Sequence, residues 1–133
     1  MHHSITRLRL RSWRFLPAFA WHAIRSQRQA LSSPGCRRSL VRATGRMTYW
    51  TLTSWDDEAS MRAFITSGAH RKAMPHLQKW CDEASSTHWP DDAGTSLPDW
   101  NDAEARLASS GKVYTLRHAS PAQAKGQPLG EPT

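Results

Sequence analysis

A chain of 133 residues is long enough for one domain and too short for two, and a 38% hydrophobic share with seven tryptophans suits a single globular core. No stretch approaches the roughly 18 consecutive apolar residues of a membrane span, and Arg11, Arg14 and His22 interrupt the N-terminal candidate for a secretory signal, so a cytoplasmic protein is expected. The net charge of +7 is uneven, with ten arginines between Arg7 and Arg46 and every acidic residue at or after Asp56, while Cys36 and Cys81 lack any zinc-type or C-x-x-C spacing and read as reduced thiols.

Ser4 to Arg11 sets Thr6, Leu8 and Leu10 against Ile5, Arg7 and Arg9, the period of two of a strand with one face buried. Apolar residues at Phe15, Phe19, Ala23, Ile24 and Leu31, with Pro17 in the first turn, predict a helix to about Leu31 that the Ser32-Ser33-Pro34-Gly35 cluster ends. Two strand-like runs follow, Ser39 to Ala43 and Arg46 to Trp55, joined at Thr44-Gly45 as a hairpin. Ser54 and Asp57 have the spacing of a capping pair, and Asp56, Asp57 and Glu58 place negative charge at a helix start. A helix carrying Met61, Phe64 and Ile65 therefore begins near Asp57, and Ser67-Gly68 separates it from a second helix over 69–85 bent by Pro75. Thr87 to Trp89 reads as a short strand, Pro90 to Pro98 as a polar connection, Trp100 to Ser109 as a short helix and Lys112 to His118 as a last strand. The Pro-, Gly- and Gln-rich residues 119–133 are predicted to be a disordered tail, which leaves 1–118 as the domain.

Strand, helix, two strands, helix pair and strand is the βαββαβ order of an α+β, ferredoxin-like sheet with helices on one face, followed here by a C-terminal helix-strand extension. The other face has nothing predicted to cover it. Trp and Leu side chains left there would form a large apolar patch, and a second copy laid face to face removes it, so a homodimer is expected. The arginines are spread over several elements without a zinc finger, an RRM signature or a GXXG loop. Solvated edges and contacts to the acidic half are the preferred reading, and nucleic acid is not expected as a partner.

His70, Met74, Leu77 and Cys81 fall at i, i+4, i+7 and i+11, one stripe of the predicted second helix facing the sheet. His76 and His88 do not complete a zinc site with His70 and Asp82, because residues 70 and 76 stand about 240° apart on a helix. Trp50, Trp55, Trp13 and Trp21 supply flat walls for a planar aromatic or polyene ligand, and equally suit a core or a dimer interface, as do Trp80 and Trp89. No Gly-rich phosphate loop, G-x-S-x-G elbow or paired-carboxylate spacing stands out.

The runs SITRLRLRSWRFLPAFAWHAIRS (4–26), YWTLTSWDDEASMRAF (49–64) and SGAHRKAMPHLQKWCDEAS (67–85) resemble a family of small bacterial proteins related to spheroidene monooxygenase and to antibiotic-biosynthesis monooxygenase domains. The resemblance spans roughly the first 118 residues and implies a dimeric α/β barrel. It further implies a monooxygenase-like protein acting on an apolar or planar small molecule, with haem as a cofactor in some members; the alternative is a noncatalytic small-molecule or haem binding module. The Asn-Trp-His constellation of the haem-degrading branch is absent, which argues against haem degradation. Three roles stay open for His70: haem ligand, general base, or a hydrogen bond to a core carbonyl. In the cofactor reading His70, Met74, Arg14 and Trp50 form the site, His70 is the metal ligand if haem is bound, and Arg14 or Arg71 anchors a carboxylate such as a propionate.

Overall fold

The alternation in the first residues does make a strand, β1 (His2–Leu10), but both of its faces are covered. In the computed structural model, which describes residues 1–91 and 97–131, β1 lies inside a five-stranded antiparallel sheet ordered β2-β3-β1-β4-β5. The other strands are β2 (Cys36–Thr44), β3 (Thr48–Trp55), β4 (Cys81–Pro90) and β5 (Lys112–Val113). The first four strands and their intervening helices form the expected ferredoxin-like βαββαβ unit. Positive φ angles at Gly45 and Met47 turn the β2–β3 hairpin, so β3 starts at Thr48 instead of Arg46.

Four helical segments cover one face. Helix α1 (Leu16–Ser32) buries Phe19 and Ala30, with the Phe19 ring 4.9 Å from Tyr49 and edge-on to Trp80 at 6.1 Å. Asp57 itself caps α2 (Glu58–Ile65), accepting the Ser60 N–H at 2.8 Å, whereas Ser54 is buried in β3 against His3. The helix expected over 69–85 is corrected to three pieces: α3 (Gly68–Ala73), a 3-10 turn at Met74–His76 and α4 (Leu77–Trp80). Pro75 has no N–H to continue the ladder. From Cys81 the chain pairs with β1 in the register Arg9↔Glu83 and Arg7↔Ser85, and strand pairing with buried ion pairs overrides the helical spacing. The stripe of His70, Met74, Leu77 and Cys81 therefore does not exist as one helix face.

Two further corrections concern the C-terminal third. The face expected to be bare carries α5 (Trp100–Ser110), whose Ala103 and Leu107 pack on Ile5, Trp50, Leu52 and Trp89. Asp99 and Asp102 close a capping box at its start. The residues expected to be a disordered tail also pack on the sheet as far as Glu131. Ser120 caps α6 (Pro121–Ala124), and the buried Gln123 side chain bonds both the N–H and the C=O of Ala84 and the Tyr114 carbonyl. Its amide thus stands in for the next peptide of a strand, which is why β5 ends at Val113 and not at His118. Most of the polar connection expected at 90–98 lies outside the described residues. Among the described residues no helix is long and apolar enough to cross a membrane.

Candidate functional site

Antiparallel register places Arg42, Trp50 and Arg7 side by side on β2, β3 and β1, all on the face that α5 covers. The Trp50 ring is the centre of this row. Its Nε1–H donates to Thr44 Oγ1 at 2.8 Å, which fixes the indole against the sheet. The Arg42 guanidinium carbon lies 4.5 Å from the Trp50 ring centroid and 4.5 Å from that of Trp100 in α5, while the Arg7 carbon lies 5.6 Å from Trp50. A cavity of about 420 Å³ opens here. Arg7, Arg42, Thr44 and Trp50 make its floor, Glu104 of α5 one wall, and the run Leu129-Gly130-Glu131 another.

The charges of this site are held from below. Arg7 Nη1 donates to Glu83 Oε1 at 2.8 Å with both side chains almost fully buried, and Ser120 Oγ–H donates to Glu83 Oε2 at 2.7 Å. Arg9 reaches Asp82 through two bonds of 2.9 Å and Glu131 at 2.8 Å. The basic half therefore does meet the acidic half, but within one chain. Arg42 is less completely satisfied: Nη2 donates to Glu104 at 3.3 Å, and its buried Nε–H has no acceptor among the described residues. A buried charged donor left open in a cavity wall is costly unless something occupies the cavity.

Of the residues singled out in the sequence, Trp50 is in this cavity and the others are not. His70 lies in α3 on the opposite side of the sheet, its ring 4.7 Å from Phe64, which stacks on Trp55 at 5.2 Å. Its Nδ1 stands 3.3 Å from the Ile65 carbonyl, its backbone N–H donates to Gln29 Oε1 at 3.0 Å, and burial holds its imidazole below the ordinary pKa. Met74 is half-buried in the 3-10 turn, and Arg14 is exposed with its guanidinium 4.7 Å from the Phe15 ring centroid. The cavity at Trp50 is not lined by His70, Met74 or Arg14, so the structure does not bring these three together with Trp50 there. Trp13 and Trp21 are 77% and 62% exposed and do not line this cavity, whereas Trp55, Trp80 and Trp89 are core. Arg7, Arg42, Trp100 and Glu104 were missed. The signal for Arg7 and Arg9 was the acid-free first half, whose charge has to be answered by Asp82, Glu83 and Glu131.

Residues 14–127 match the family described as Domain of unknown function (DUF3291). The fold is shared with a conserved protein from Methanosarcina mazei Go1 (TM-score 0.61, 17% identity, 68% of this chain and 92% of that one). It is also shared with a candidate antibiotic biosynthesis monooxygenase from Nitrosomonas europaea (TM-score 0.59, 14% identity, 69% and 99%). A variant of SnoaB, a cofactor-independent oxygenase from Streptomyces nogalater, matches at TM-score 0.54 with 15% identity over 74% of this chain and 97% of that one. No curated protein matches the chain by sequence.

Proposed function

The chain belongs to the DUF3291 family and has the antibiotic-biosynthesis-monooxygenase-like fold, and from these premises we propose a monooxygenase-like protein that holds a planar, mostly apolar molecule over Trp50. The observation that carries this reading is Arg42, clamped between two indoles in a cavity wall with a buried N–H that lacks an acceptor among the described residues. A carbonyl, phenolate or carboxylate oxygen on the ligand would take that proton, and its ring would lie against the part of Trp50 that lines the cavity. Glu104 and Glu131 are placed to accept a hydroxyl proton from the same molecule.

The test is titration of tryptophan fluorescence with 1-hydroxy-2-naphthoate in the wild type and in Arg42→Gln. Losing a hydrogen bond to a charged group, worth about 1.5–3 kcal/mol, weakens binding roughly 10- to 100-fold. Equal affinity in the two proteins would remove the cavity from the account. Oxygen consumption on adding the same compound then separates a monooxygenase from the noncatalytic binding module. A parallel haemin titration with His70→Ala addresses the haem reading: a Soret shift lost in that variant would move the ligand site to the helical side.

The homodimer is retained on a different surface. With the sheet face covered by α5 and the C-terminal segment, the exposed apolar side chains among the described residues include Trp21, Ile24 and Leu31 along one side of α1, besides Trp13, Leu16 and Val41. Sedimentation of the wild type as a dimer and of Trp21→Glu as a monomer is the expected result.

A further inference from the structure

His2 and His88 come from neighbouring strands, β1 and β4, offset by one diagonal step in the register Ser4↔His88 and His2↔Pro90. Both imidazoles are on the helical side of the sheet, the side opposite the Trp50 cavity. Their rings are 5.0 Å apart, tilted by 43°, with His2 Nε2 2.8 Å from His88 Nδ1. Glu58, in the first turn of α2, brings a carboxylate to the same place, and one ligand atom from each of the three lies within 4.8 Å of the others. His2 is buried, while His88 and Glu58 are exposed. From this constellation we infer that His2, His88 and Glu58 form a binding site for a divalent transition-metal ion of the zinc, cobalt or iron(II) type.

Two imidazoles and one carboxylate are the donor set such ions take, whereas calcium and magnesium call for oxygen donors alone. A nitrogen pair at hydrogen-bonding distance already has one lone pair aimed at a position between the rings, and a cation replaces the shared proton. Donors around one tetrahedral zinc stand roughly 3.4 Å apart. The ring pair has to open slightly and the carboxylate to close in, and the two exposed side chains are the ones free to turn. Glu58 is otherwise engaged by Arg62 four residues on, an exposed pair that releases it readily. Three protein ligands leave at least one position open to water or to a small molecule from solvent.

The site is independent of the proposed ligand cavity, and its test uses the metal alone on untagged protein. Cobalt(II) is titrated while the visible absorption is followed, in the wild type, His88→Ala, Glu58→Gln and His76→Ala. The last variant removes the separate His22–His76 pair, which packs on Trp80 and whose rings are 5.1 Å apart. One equivalent should bind the wild type with a tetrahedral or five-coordinate spectrum. Affinity should fall at least tenfold in both His88→Ala and Glu58→Gln and stay unchanged in His76→Ala. Zinc should raise the melting temperature of the wild type and not that of His88→Ala, whose fold is to be checked by circular dichroism against the wild-type spectrum. Wild-type affinity in either His88→Ala or Glu58→Gln, a loss in His76→Ala, or no saturable binding in the wild type would overturn the assignment.

Discussion

Arg7 and Glu83 face one another from adjacent strands, Nη1 to Oε1 at 2.8 Å, with side chains 2% and 0% exposed. The second carboxylate oxygen receives Ser120 Oγ–H at 2.7 Å and the Glu131 N–H at 3.0 Å, so both oxygens are satisfied. A buried pair contributes only under that condition, because removing two charges from water costs several kcal/mol per ion. Glu83→Ala leaves Arg7 buried without its partner and is expected to cost about 3–5 kcal/mol. Replacing both with apolar residues, as in Arg7→Met with Glu83→Leu, should recover much of the loss. Urea denaturation of the three proteins reads both effects, and a Glu83→Ala cost under about 1 kcal/mol would show that the pair is solvated in solution.

The same carboxylate makes stability depend on acid. Burial pushes the Glu83 carboxyl up, but the hydrogen bonds from Ser120, from the Glu131 N–H and from Arg7 outweigh it and hold the group below its ordinary value of 4.5. Its stabilising contribution is therefore complete above pH 4.5 and is lost as the pH falls through the folded-state value. Unfolding free energy measured from pH 6 down to about pH 3 should drop more steeply in the wild type than in Glu83→Gln. Parallel curves would assign the acid sensitivity to other carboxylates.

The two thiols should separate by reactivity. Burial pushes the Cys81 thiol up to about 12, with the Asp82 charge adding to the effect, and it raises the half-buried Cys36 more modestly. With Ellman's reagent at pH 8 the folded protein should release one equivalent slowly, from Cys36, and the second only on unfolding. Mass mapping that finds Cys81 labelled first would contradict the packing of β4 against α1.

The order of elements could be read from spacing because local chemistry and tertiary structure agree there: the alternation of β1, the aromatic run of β3 and the acidic start of α2 each form the element their pattern selects, although in β1 the Ile5-Arg7-Arg9 side is buried more completely than the Thr6-Leu8 side. The failures share a cause. Arg7 and Arg9 look like a solvent face because a lone arginine belongs in water, and their acids lie more than 70 residues away, a distance no local window spans. Residues 81–85 have helical spacing and become strand because β1 offers them partners. Residues 119–131 have the composition of a linker, and what orders them is a set of polar contacts from Ser120, Gln123 and Glu131. The Trp50 cavity was legible only in its tryptophan, since Arg7 and Leu129–Glu131 come from these misread segments and Glu104 comes from a helix that was not expected to cover this face.

Gly130 offers the sharpest test of that C-terminal segment. It adopts φ +65°, and a methyl group there would overlap the Glu83 carboxylate and stand 2.6 Å from Nη1 of Arg7. Gly126, at φ +76°, has open space around it. Gly126→Ala should therefore show only the left-handed backbone cost, about 1–2 kcal/mol, while Gly130→Ala adds a collision with two charges that cannot move apart without breaking their own pair. The segment is held at its end by Ser85 Oγ–H to the Pro128 carbonyl, the Glu131 N–H to Glu83 and Arg9 to Glu131, so it has a route of escape by lifting off the sheet. Gly130→Ala should then expose the Glu131 amide to rapid hydrogen exchange, speed tryptic cleavage at Lys125 and remove one wall of the Trp50 cavity, with little change in the exchange of β1 and β3. Protection of the Glu131 amide equal to that of Gly126→Ala would mean that the close approach of Gly130 to Glu83 does not hold in solution.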